Sequence, residues 1–578
     1  GKANGRPGFY DQDWNNFGPN VSVAWSPNLG DNWFGRLIGR ENKSVIRGGF
    51  RMLYDRVGSA LAVNFDLNSR LGFNAASTAA FNLCNQADRL CPRLTGLTPD
   101  VRSYPNIVVP SSLNFPLTHP TAGGRGRLDT TIDDALTTPQ QYTWNFSYGR
   151  ELSKGFAFEM SYIGRAGRDL LNVRDIMHLN NLVDTKTGVD WYTAAGMLAD
   201  LRERNTPITS VQPIPYFQNL FPGLAGGGLS ATQAVYGLVA RECVDNATTS
   251  TGQCARGSIG GFNLTDWTAV QDVLNDESIL GPGAFYHPQY AALSTYSSIG
   301  SSDYHGATVT LRHRFKSDLA FDLNYTFAKS FDDGSVLEAQ DPRGNFIRNP
   351  LDLRLARAVS NFDVRHNFNA NWLAALPFGR DKKLFGNVNR ALDAIIGGWQ
   401  LTGIVRLHSG LPIANAQGAP FEQGTWATNW QLSSSVVRLR DVRSDNVANV
   451  ADPTGQNQGL RPNIFADPTG AYRSFRSPRA GEVGDRNILR LPRYFVMDAG
   501  LGKTFKMPYA ESHSLQFRWE VFNVTNTQPF GVIFAMGAAQ DPYTGSPGAD
   551  FGRYFDSQKP VGETRPGRVM QFALRYVF

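Results

Sequence analysis

Apolar and polar side chains alternate at every second position in many segments of this chain. In the last segment, 568–578, Met570, Phe572, Leu574, Tyr576 and Phe578 share one face of a β-strand, and smaller or more polar residues occupy the other. The same alternation predicts ten further strands, at 20–26, 44–54, 141–150, 156–162, two within 304–329, 365–378, 399–409, 494–505 and 514–523. The chain is therefore predicted to be all-β, with about eleven strands.

The links between these strands alternate in length. Those at 27–43, 153–155, 316–318, 379–398 and 506–513 are short, and those at 56–139, 166–303, 330–363, 410–491 and 525–567 are long. Transmembrane barrels have short turns at the periplasmic end and long loops at the extracellular end. The bias predicts a transmembrane antiparallel β-barrel. A soluble sandwich, the alternative, has no reason to keep this bias over successive hairpins.

The barrel interpretation treats the whole chain, 1–578, as barrel, with its long loops outside the cell and its carboxy terminus in the periplasm. The three longest of those loops are 56–139, 166–303 and 410–491. Helical periodicity at 189–204, 232–243 and 265–275 predicts short helices inside the second of them, and 386–396 predicts one helix in a short link. Loops of this length are rarely without a function, so they are the predicted site of ligand capture. The alternatives are a protective cap and a contact surface between neighbouring receptors.

Composition agrees with a barrel. The 578 residues include 58 glycines, the aromatic fraction is 12% and the charged fraction only 18%. No apolar run reaches the roughly 18 residues that a membrane helix needs, whereas a barrel strand spans with about 10 alternating residues. The net charge of +6 comes without a basic block, so nucleic acid is not expected as a partner. The first residues lack the apolar core of a signal peptide, and we expect that a leader was removed or that further sequence precedes them.

The four cysteines form two close pairs in long links. Their spacings do not match the Cys-x-x-Cys clamps of zinc sites, and no histidine flanks them suitably. We expect local disulfides in an oxidising compartment, with free thiols as the alternative. The pairs are Cys84 with Cys91 and Cys243 with Cys254.

Charged residues alternate with the apolar positions of the strands. A lysine or arginine on the lipid face costs roughly 2–4 kcal/mol at the bilayer midplane, so these charges must line a wet lumen or dock a plug. A solvated wall with internal ion pairs is an equally open interpretation. The residues are Arg47, Arg51, Glu159, Arg312, Arg314, Asp322, Arg406, Asp498, Arg518, Glu520 and Arg575.

Aromatic residues in the long loops are candidates for ligand contacts. They are Trp191, Tyr192, Trp267, Trp426 and Trp430. Histidines such as His305 and His313 lie without a carboxylate at metal spacing, and no nucleophile and base occur together. We therefore predict no enzymatic activity, no cofactor and no metal site.

Several motifs resemble the Oar-like branch of the TonB-dependent outer-membrane receptors, which often carry a carboxypeptidase-regulatory-like domain. They lie at 16–20 (NFGPN), 45–50 (VIRGGF), 362–366 (FDVRH), 397–403 (GGWQLTG), 409–412 (SGLP) and 520–526 (EVFNVTN). The terminal Phe578 also resembles the ending of outer-membrane barrels. That resemblance implies that Phe572, Leu574, Tyr576 and Phe578 form the signal read by the barrel assembly machinery.

The resemblance implies a barrel of about 22 strands filled by an amino-terminal plug, of which this chain would supply the carboxy-terminal half. It also implies coupling to the TonB complex of the inner membrane through a TonB box. Neither plug nor TonB box is found in the sequence, so no energy-coupling residue is assigned. The expected function is binding of an extracellular ligand and its import. The alternatives are a surface anchor or export barrel that binds a protein, and a passive porin.

Overall fold

The computed structural model describes residues 13–30, 32–39, 43–55, 128–240, 267–281, 283–285, 292–313, 318–335, 346–413, 437–445, 447–453, 455, 458–476, 478–507, 509, 512–531, 550–554 and 567–578. Within these residues β-structure dominates. The strands are β1 (Asn20–Trp25), β2 (Ser44–Tyr54), β3 (Leu128–Ile132), β4 (Gln140–Glu151), β5 (Phe156–Asp175), β6 (Ala292–His313), β7 (Leu319–Asp332), β8 (Phe346–Ile347), β9 (Ala358–Val359), β10 (His366–Ala375), β11 (Trp399–His408), β12 (Val437–Arg438), β13 (Ala448–Ala451), β14 (Leu460–Asn463), β15 (Phe475–Arg476), β16 (Tyr494–Lys506), β17 (Ser514–Phe522) and β18 (Val569–Val577).

Eleven of these strands form one continuous sheet in chain order. The order is β1-β2-β4-β5-β6-β7-β10-β11-β16-β17-β18, and every neighbouring pair is antiparallel. The prediction of about eleven antiparallel strands is confirmed. In the described part of the chain the sheet is open, with β1 and β18 at its edges.

The register keeps most of the large apolar side chains of the strands on one face. Residues directly opposite each other in an antiparallel pair lie on the same face, and Trp519 is opposite both Phe572 and Leu501. The same face continues through Trp372 opposite Phe321 and on to β1. Several of its side chains are more than half exposed, for example Phe572 at 68% and Leu574 at 67%. Such a broad exposed apolar surface is incompatible with water, and it is what a bilayer covers.

Two predicted strand ends are wrong. β5 continues to Asp175 and β6 already begins at Ala292, whereas the link between them was predicted to occupy 166–303. The additional pairing passes an irregularity between Gly167 and Leu170, where Asp169 has a φ of 53°. The apolar alternation stops near Ile163 because this outer part of the hairpin lies beyond the lipid-facing part, so periodicity could not reveal it.

Helices occur in the links. They are α1 (Trp33–Ile38), α2 (Trp191–Glu203), α3 (Pro215–Leu220), α4 (Ala231–Val239), α5 (Trp267–Asn275), α6 (Arg390–Ile396) and α7 (Pro468–Tyr472). Four of them, α2, α4, α5 and α6, fall in segments where helical periodicity predicted a helix. Among the described residues, no helix is both long and apolar enough to cross a membrane.

The buried clusters of apolar side chains in the described residues lie in the long links. The larger cluster surrounds Trp191 and Phe217 between β5 and β6, and the smaller surrounds Phe465 and Tyr472 between β11 and β16. A sandwich would bury its strand aromatics between two packed sheets. Here the strand aromatics stay exposed, so the sandwich alternative is excluded.

Candidate functional site

The polar face of the sheet carries the charges that the sequence singled out. Arg312 is directly opposite Asp322, and Glu520 is opposite Gln571. By the same register, all ten described members of the predicted set share this face: Arg47, Arg51, Glu159, Arg312, Asp322, Arg406, Asp498, Arg518, Glu520 and Arg575. Arg314 lies outside the described residues. Whether this face lines a lumen or docks a plug stays a prediction.

Many of these charges are paired across strands. Arg312 Nε donates to Asp322 Oδ2 at 2.9 Å, and Asn324 Nδ2 donates to the other carboxylate oxygen at 2.6 Å. Thr310 Oγ1 continues the row by donating to Asn324 Oδ1 at 2.8 Å. Arg406 and Asp498 approach within 3.9 Å. Part of the polar face is therefore a hydrogen-bonded wall, in which Arg312 and Arg406 are compensated by aspartates on the neighbouring strands.

A compact helical unit, which we call the loop body, fills the link between β5 and β6. It comprises residues 179–240, 267–281 and 283–285. Asp190 caps α2 by accepting from Thr193 N at 2.8 Å, and Ser230 with Gln233 forms a capping box on α4. The helices enclose a core rich in aromatic rings, with Trp191 in edge contact with Phe285 at 5.3 Å. This link is thus a folded unit with its own core.

Two of the predicted contact aromatics belong to that core. Trp191 is 0% and Trp267 is 3% exposed, and their rings meet at 6.4 Å. We therefore correct the expectation that they contact a ligand at the surface, because reaching one would require opening the core. Helical periodicity placed both on helices but could not tell which face was buried. Tyr192 packs at the edge of the core, and Trp426 and Trp430 lie outside the described residues.

The link between β11 and β16 is fastened to the loop body. Arg479 Nη2 donates to Asp200 Oδ1 at 2.5 Å and to both Glu203 oxygens at 3.0 Å. The next residue, Ala480, is buried within the loop-body core. Asn349 Nδ2 donates to the Gly481 carbonyl at 2.8 Å, so the link between β7 and β10 joins the same junction. Three long links thus form one assembly at one end of the sheet.

Glu482 strengthens this junction electrostatically. Burial raises the pKa of its carboxyl, but hydrogen bonds from Arg476 and from the Arg479 backbone amide outweigh burial and hold the pKa below its ordinary value of 4.5. Arg476 contacts it in a bidentate pair at 2.6 and 2.9 Å. The carboxylate is therefore ionised over the physiological pH range and holds residues 476–482 in one conformation.

Buried ion pairs attach these links to the ends of the strands. The carboxylate of Asp332, at the end of β7, is 5% exposed and receives Arg486 Nη2 at 2.6 Å. Asp363, just before β10, is 1% exposed and pairs with Arg490. Arg357 joins Asp303 on β6 to Asp333 beyond the end of β7. The sequence analysis missed all four of these ion pairs.

A cavity of about 940 Å³ opens between these links and the strand ends. Three acidic residues and seven arginines line it, the latter being Arg354, Arg357, Arg365, Arg438, Arg443, Arg486 and Arg490. Six of the seven are paired with aspartates. The half-buried Arg365 has no side-chain partner among the described residues. The cavity thus combines six ion-paired arginines with one, Arg365, whose guanidinium has no ion-pair partner in the described part of the chain.

The closing strand presents its terminal residues on the apolar face. Phe572, Leu574 and Tyr576 are exposed there, and Phe578 is 88% exposed beyond the end of β18. Tyr576 is stacked against Phe578 at 6.3 Å. The proposed assembly signal stays a prediction. The four cysteines predicted to form disulfides, Cys84, Cys91, Cys243 and Cys254, lie outside the described residues.

These features define an outer-membrane β-barrel domain. A family model described as an outer membrane beta barrel domain matches residues 1–571. The match covers nearly the whole chain, so the chain belongs to this family. No curated protein is significantly similar to this chain in sequence.

Solved structures similar to this chain include outer-membrane proteins. The outer membrane transporter YddB from Escherichia coli is 8% identical with a TM-score of 0.32, over 93% of this chain and 39% of that one. The siderophore receptor PirA from Acinetobacter baumannii is 7% identical with a TM-score of 0.31, over 97% of this chain and 40% of that one. A ferric enterobactin receptor, PfeA from Pseudomonas aeruginosa, is 10% identical with a TM-score of 0.33, over 97% and 40%. The chain spans about two fifths of the length of these proteins.

Proposed function

We propose that this chain is the carboxy-terminal barrel portion of an outer-membrane receptor of the TonB-dependent, Oar-like type. In this proposal the fused long links capture a ligand outside the cell, and the polar face lines the route inward. The observation that carries it is the arginine-lined cavity of about 940 Å³, which opens between the β7–β10 link and the β11–β16 link at the strand ends. Loops held by buried ion pairs form a pre-organised site, which lowers the entropic cost of binding.

Arg365 is the proposed ligand contact in this cavity. It directly precedes β10, and its neighbour Asn367 lies on the polar face opposite Thr326 and His408. Because Arg365 lines the cavity and lies next to β10, we propose that it marks the point where the cavity meets the route inward. Its guanidinium matches a ligand with a carboxylate, phosphate or sulfate group.

Ligand capture by the whole receptor tests this proposal. Outer-membrane vesicles carrying the receptor are incubated with a fractionated growth medium, and bound small molecules are identified by mass spectrometry. We expect an anionic compound to be retained, and its uptake into cells to stop when a protonophore collapses the proton gradient. Retention of a stoichiometric protein instead would favour the surface-anchor alternative. Steady ion conductance in a planar bilayer, without retention, would favour a porin.

Two arginine variants locate the site. Arg365→Gln removes one charge-assisted hydrogen bond of about 1.5–3 kcal/mol, so the Kd of the retained compound should rise roughly tenfold to a hundredfold. Arg354→Gln is the matched control, because Arg354 lines the same cavity but its guanidinium is engaged by Asp352. An equal loss in both variants would contradict the role of Arg365.

A further inference from the structure

A short link between β10 and β11 carries a helix that fits a membrane surface. In this link α6 is capped by Asn389, whose Oδ1 accepts from Leu392 N at 2.8 Å. The Asp393 carboxylate accepts from Arg380 N at 2.6 Å, which ties the helix to the preceding turn. Seven residues of helix are about 10 Å long, far too short to cross a bilayer. The link is therefore an ordered platform at one end of the sheet.

Lys503 places this helix on the apolar face of the sheet. It is directly opposite Trp399 and Phe517, so its side chain points to the face that meets lipid. It is nevertheless only 7% exposed. Its Nζ donates to the carbonyls of Ala394 at 2.6 Å and Ile395 at 3.2 Å. A charge that lipid would penalise is instead satisfied by the carboxy-terminal carbonyls of α6.

Trp399 fixes the same end of the helix. Its indole Nε1 donates to the Ile395 carbonyl at 2.8 Å. Trp399 on β11, Phe505 on β16 and Tyr576 on β18 are aromatic side chains at this end of the apolar face. Aromatic girdles of this kind mark the height of the lipid headgroups in outer-membrane barrels. The helix therefore lies at the level of the membrane interface.

The outer surface of the link is apolar. Ile395 is 68%, Phe385 64%, Leu384 47% and Leu392 42% exposed. Leu392 and Ile395 are three positions apart and share one side of α6. The Phe385 ring lies 6.3 Å from that of Phe378, which precedes the helix. Because Lys503 and Trp399 hold the end of α6, these exposed side chains lie next to the apolar face of the sheet.

Charge in the link complements a phospholipid. Residues 379–398 contain four basic and two acidic side chains, and one of the acids, Asp393, is used inside the link. Lys382 bonds Asp318 at 3.0 Å, which leaves Arg380, Lys383 and Arg390 exposed in the link. A helix with an apolar side and basic neighbours lies in the interface plane, with its apolar side among the acyl chains.

We propose that α6 is an interfacial anchor that lies flat in the phospholipid headgroups of the periplasmic leaflet. Leu392, Ile395 and Phe385 insert among the acyl chains, and Lys503 and Trp399 hold the helix against the barrel wall. The choice of leaflet rests on the proposed function, which places the short links in the periplasm. The contact with lipid rests only on the apolar face.

Photo-crosslinking in the outer membrane tests the anchor. Benzoylphenylalanine replaces Ile395 in one version of the full receptor and Ala394 in the other, since Ala394 is exposed but points about 100° around the helix axis from Ile395, away from Leu392. We expect phospholipid adducts at position 395 at least tenfold above those at position 394. Equal adduct yields at both positions would overturn the anchor. Adducts with lipopolysaccharide at position 395 would refute the assignment of α6 to the periplasmic leaflet and the proposed orientation of the barrel. They would not contradict the proposed ligand binding.

A second variant pair tests how the helix is held. Lys503→Met keeps the side-chain length but removes the donor to the two carbonyls, so the adduct yield at position 395 should fall severalfold. Lys506→Met is the control, because Lys506 is exposed at the end of the same strand. Heat-dependent migration of each variant in detergent gels checks that the barrel has folded. An unchanged yield in folded Lys503→Met would overturn the role of Lys503.

Discussion

Single buried carboxylates hold the long links of this protein to its sheet. Asp363 accepts from Ser330 N at 2.7 Å, and its other oxygen pairs with Arg490. Arg490 also donates to the backbone carbonyls of Asp363 and Gly410, at 3.1 and 3.2 Å. One guanidinium therefore joins the ends of two strands and the link that returns to β16.

Arg490→Met tests this anchor. The change leaves the Asp363 carboxylate buried without its counter-charge, and we expect a loss of about 3–5 kcal/mol from the free energy of unfolding. The measurement is thermal unfolding of the receptor in detergent micelles. Arg354→Met is the control, since the Arg354 side chain is 90% exposed and its pair with Asp352 lies in solvent. Equal unfolding temperatures for the two variants would refute the anchor.

The Arg476–Glu482 pair predicts an acid-sensitive junction. Because the folded-state pKa of Glu482 lies below 4.5, the pair stabilises the junction fully above that pH and is lost as the pH falls through the lower, folded value. Glu482→Gln should therefore raise the rate of proteolysis within residues 476–484 at pH 7. In this variant the rate should change little as the pH is lowered. Asp441→Asn serves as control, with a carboxylate that is 96% exposed. Cleavage of Glu482→Gln at the wild-type rate at pH 7 would contradict this account.

At the scale of single residues, the sequence predicted which face of the sheet a side chain lies on, but not which residue it pairs with. Alternation alone placed Arg312, Asp322 and Glu520 on one face, because side-chain direction in a strand follows from position parity. The partners of Asp332 and Asp363 lie more than a hundred residues away along the chain, at Arg486 and Arg490. No local pattern encodes such a contact, since it depends on how the links fold back over the strand ends.

Among the elements, the contact of the loop body with the link from β11 depends on one glycine. Gly481 has a φ of +83°, and a Cβ added there would lie 2.6 Å from the Tyr192 ring. Position 481 therefore requires glycine for two reasons: its left-handed backbone conformation and the close approach of α2. Tyr192, predicted from sequence to contact a ligand, here forms the surface against which the second link packs.

Gly481→Ala should separate the two links. The left-handed backbone alone costs about 1 kcal/mol, and the clash with Tyr192 adds to it, so amide exchange in α2 should accelerate. Gly188→Ala is a matched control in the loop body, because its φ is +73° and a Cβ there meets no atom within 4 Å. We expect amide exchange in α2 to be faster in Gly481→Ala than in Gly188→Ala. Identical exchange would show that the contact does not hold the links together.

The strands were predictable because lipid on one face and water on the other impose a strict period of two. β2 matches its predicted range of 44–54 in full, and β11 and β16 differ from theirs by one residue at one end. The loop body obeys no such external rule. Its helices bury Trp191 and Trp267 against each other and against Phe285. Periodicity in the sequence predicted that these helices exist, but not how they pack.

For the molecule as a whole, one face of the sheet is suited to lipid and the other to water. Leu401, Val405 and Leu407 on β11 share the face of Phe572, and Thr402, Ile404 and Arg406 share the face of Asp498. The polar face tolerates an apolar Ile404, whereas the apolar face holds Lys503, which a helix end neutralises, and Lys329, whose Nζ lies over the Phe331 ring near the end of β7. This asymmetry follows from the high cost of placing a charge in lipid and the low cost of placing an apolar group in water.

Adjacent arginine substitutions on β11 separate the two faces directly. Val405→Arg places a guanidinium on the apolar face and should cost about 2–4 kcal/mol of folding free energy in phospholipid vesicles. Ile404→Arg, one residue away, places the same group opposite Asp498 on the polar face, where the added charge has a partner. We expect its unfolding midpoint in guanidinium chloride to stay near that of the wild type. The difference between the variants depends only on which side of the strand meets lipid, because strand position, residue type and charge are otherwise matched. Similar unfolding midpoints for both variants would mean that water reaches both faces of the sheet. That result would refute both the barrel wall and the proposed route along its polar face.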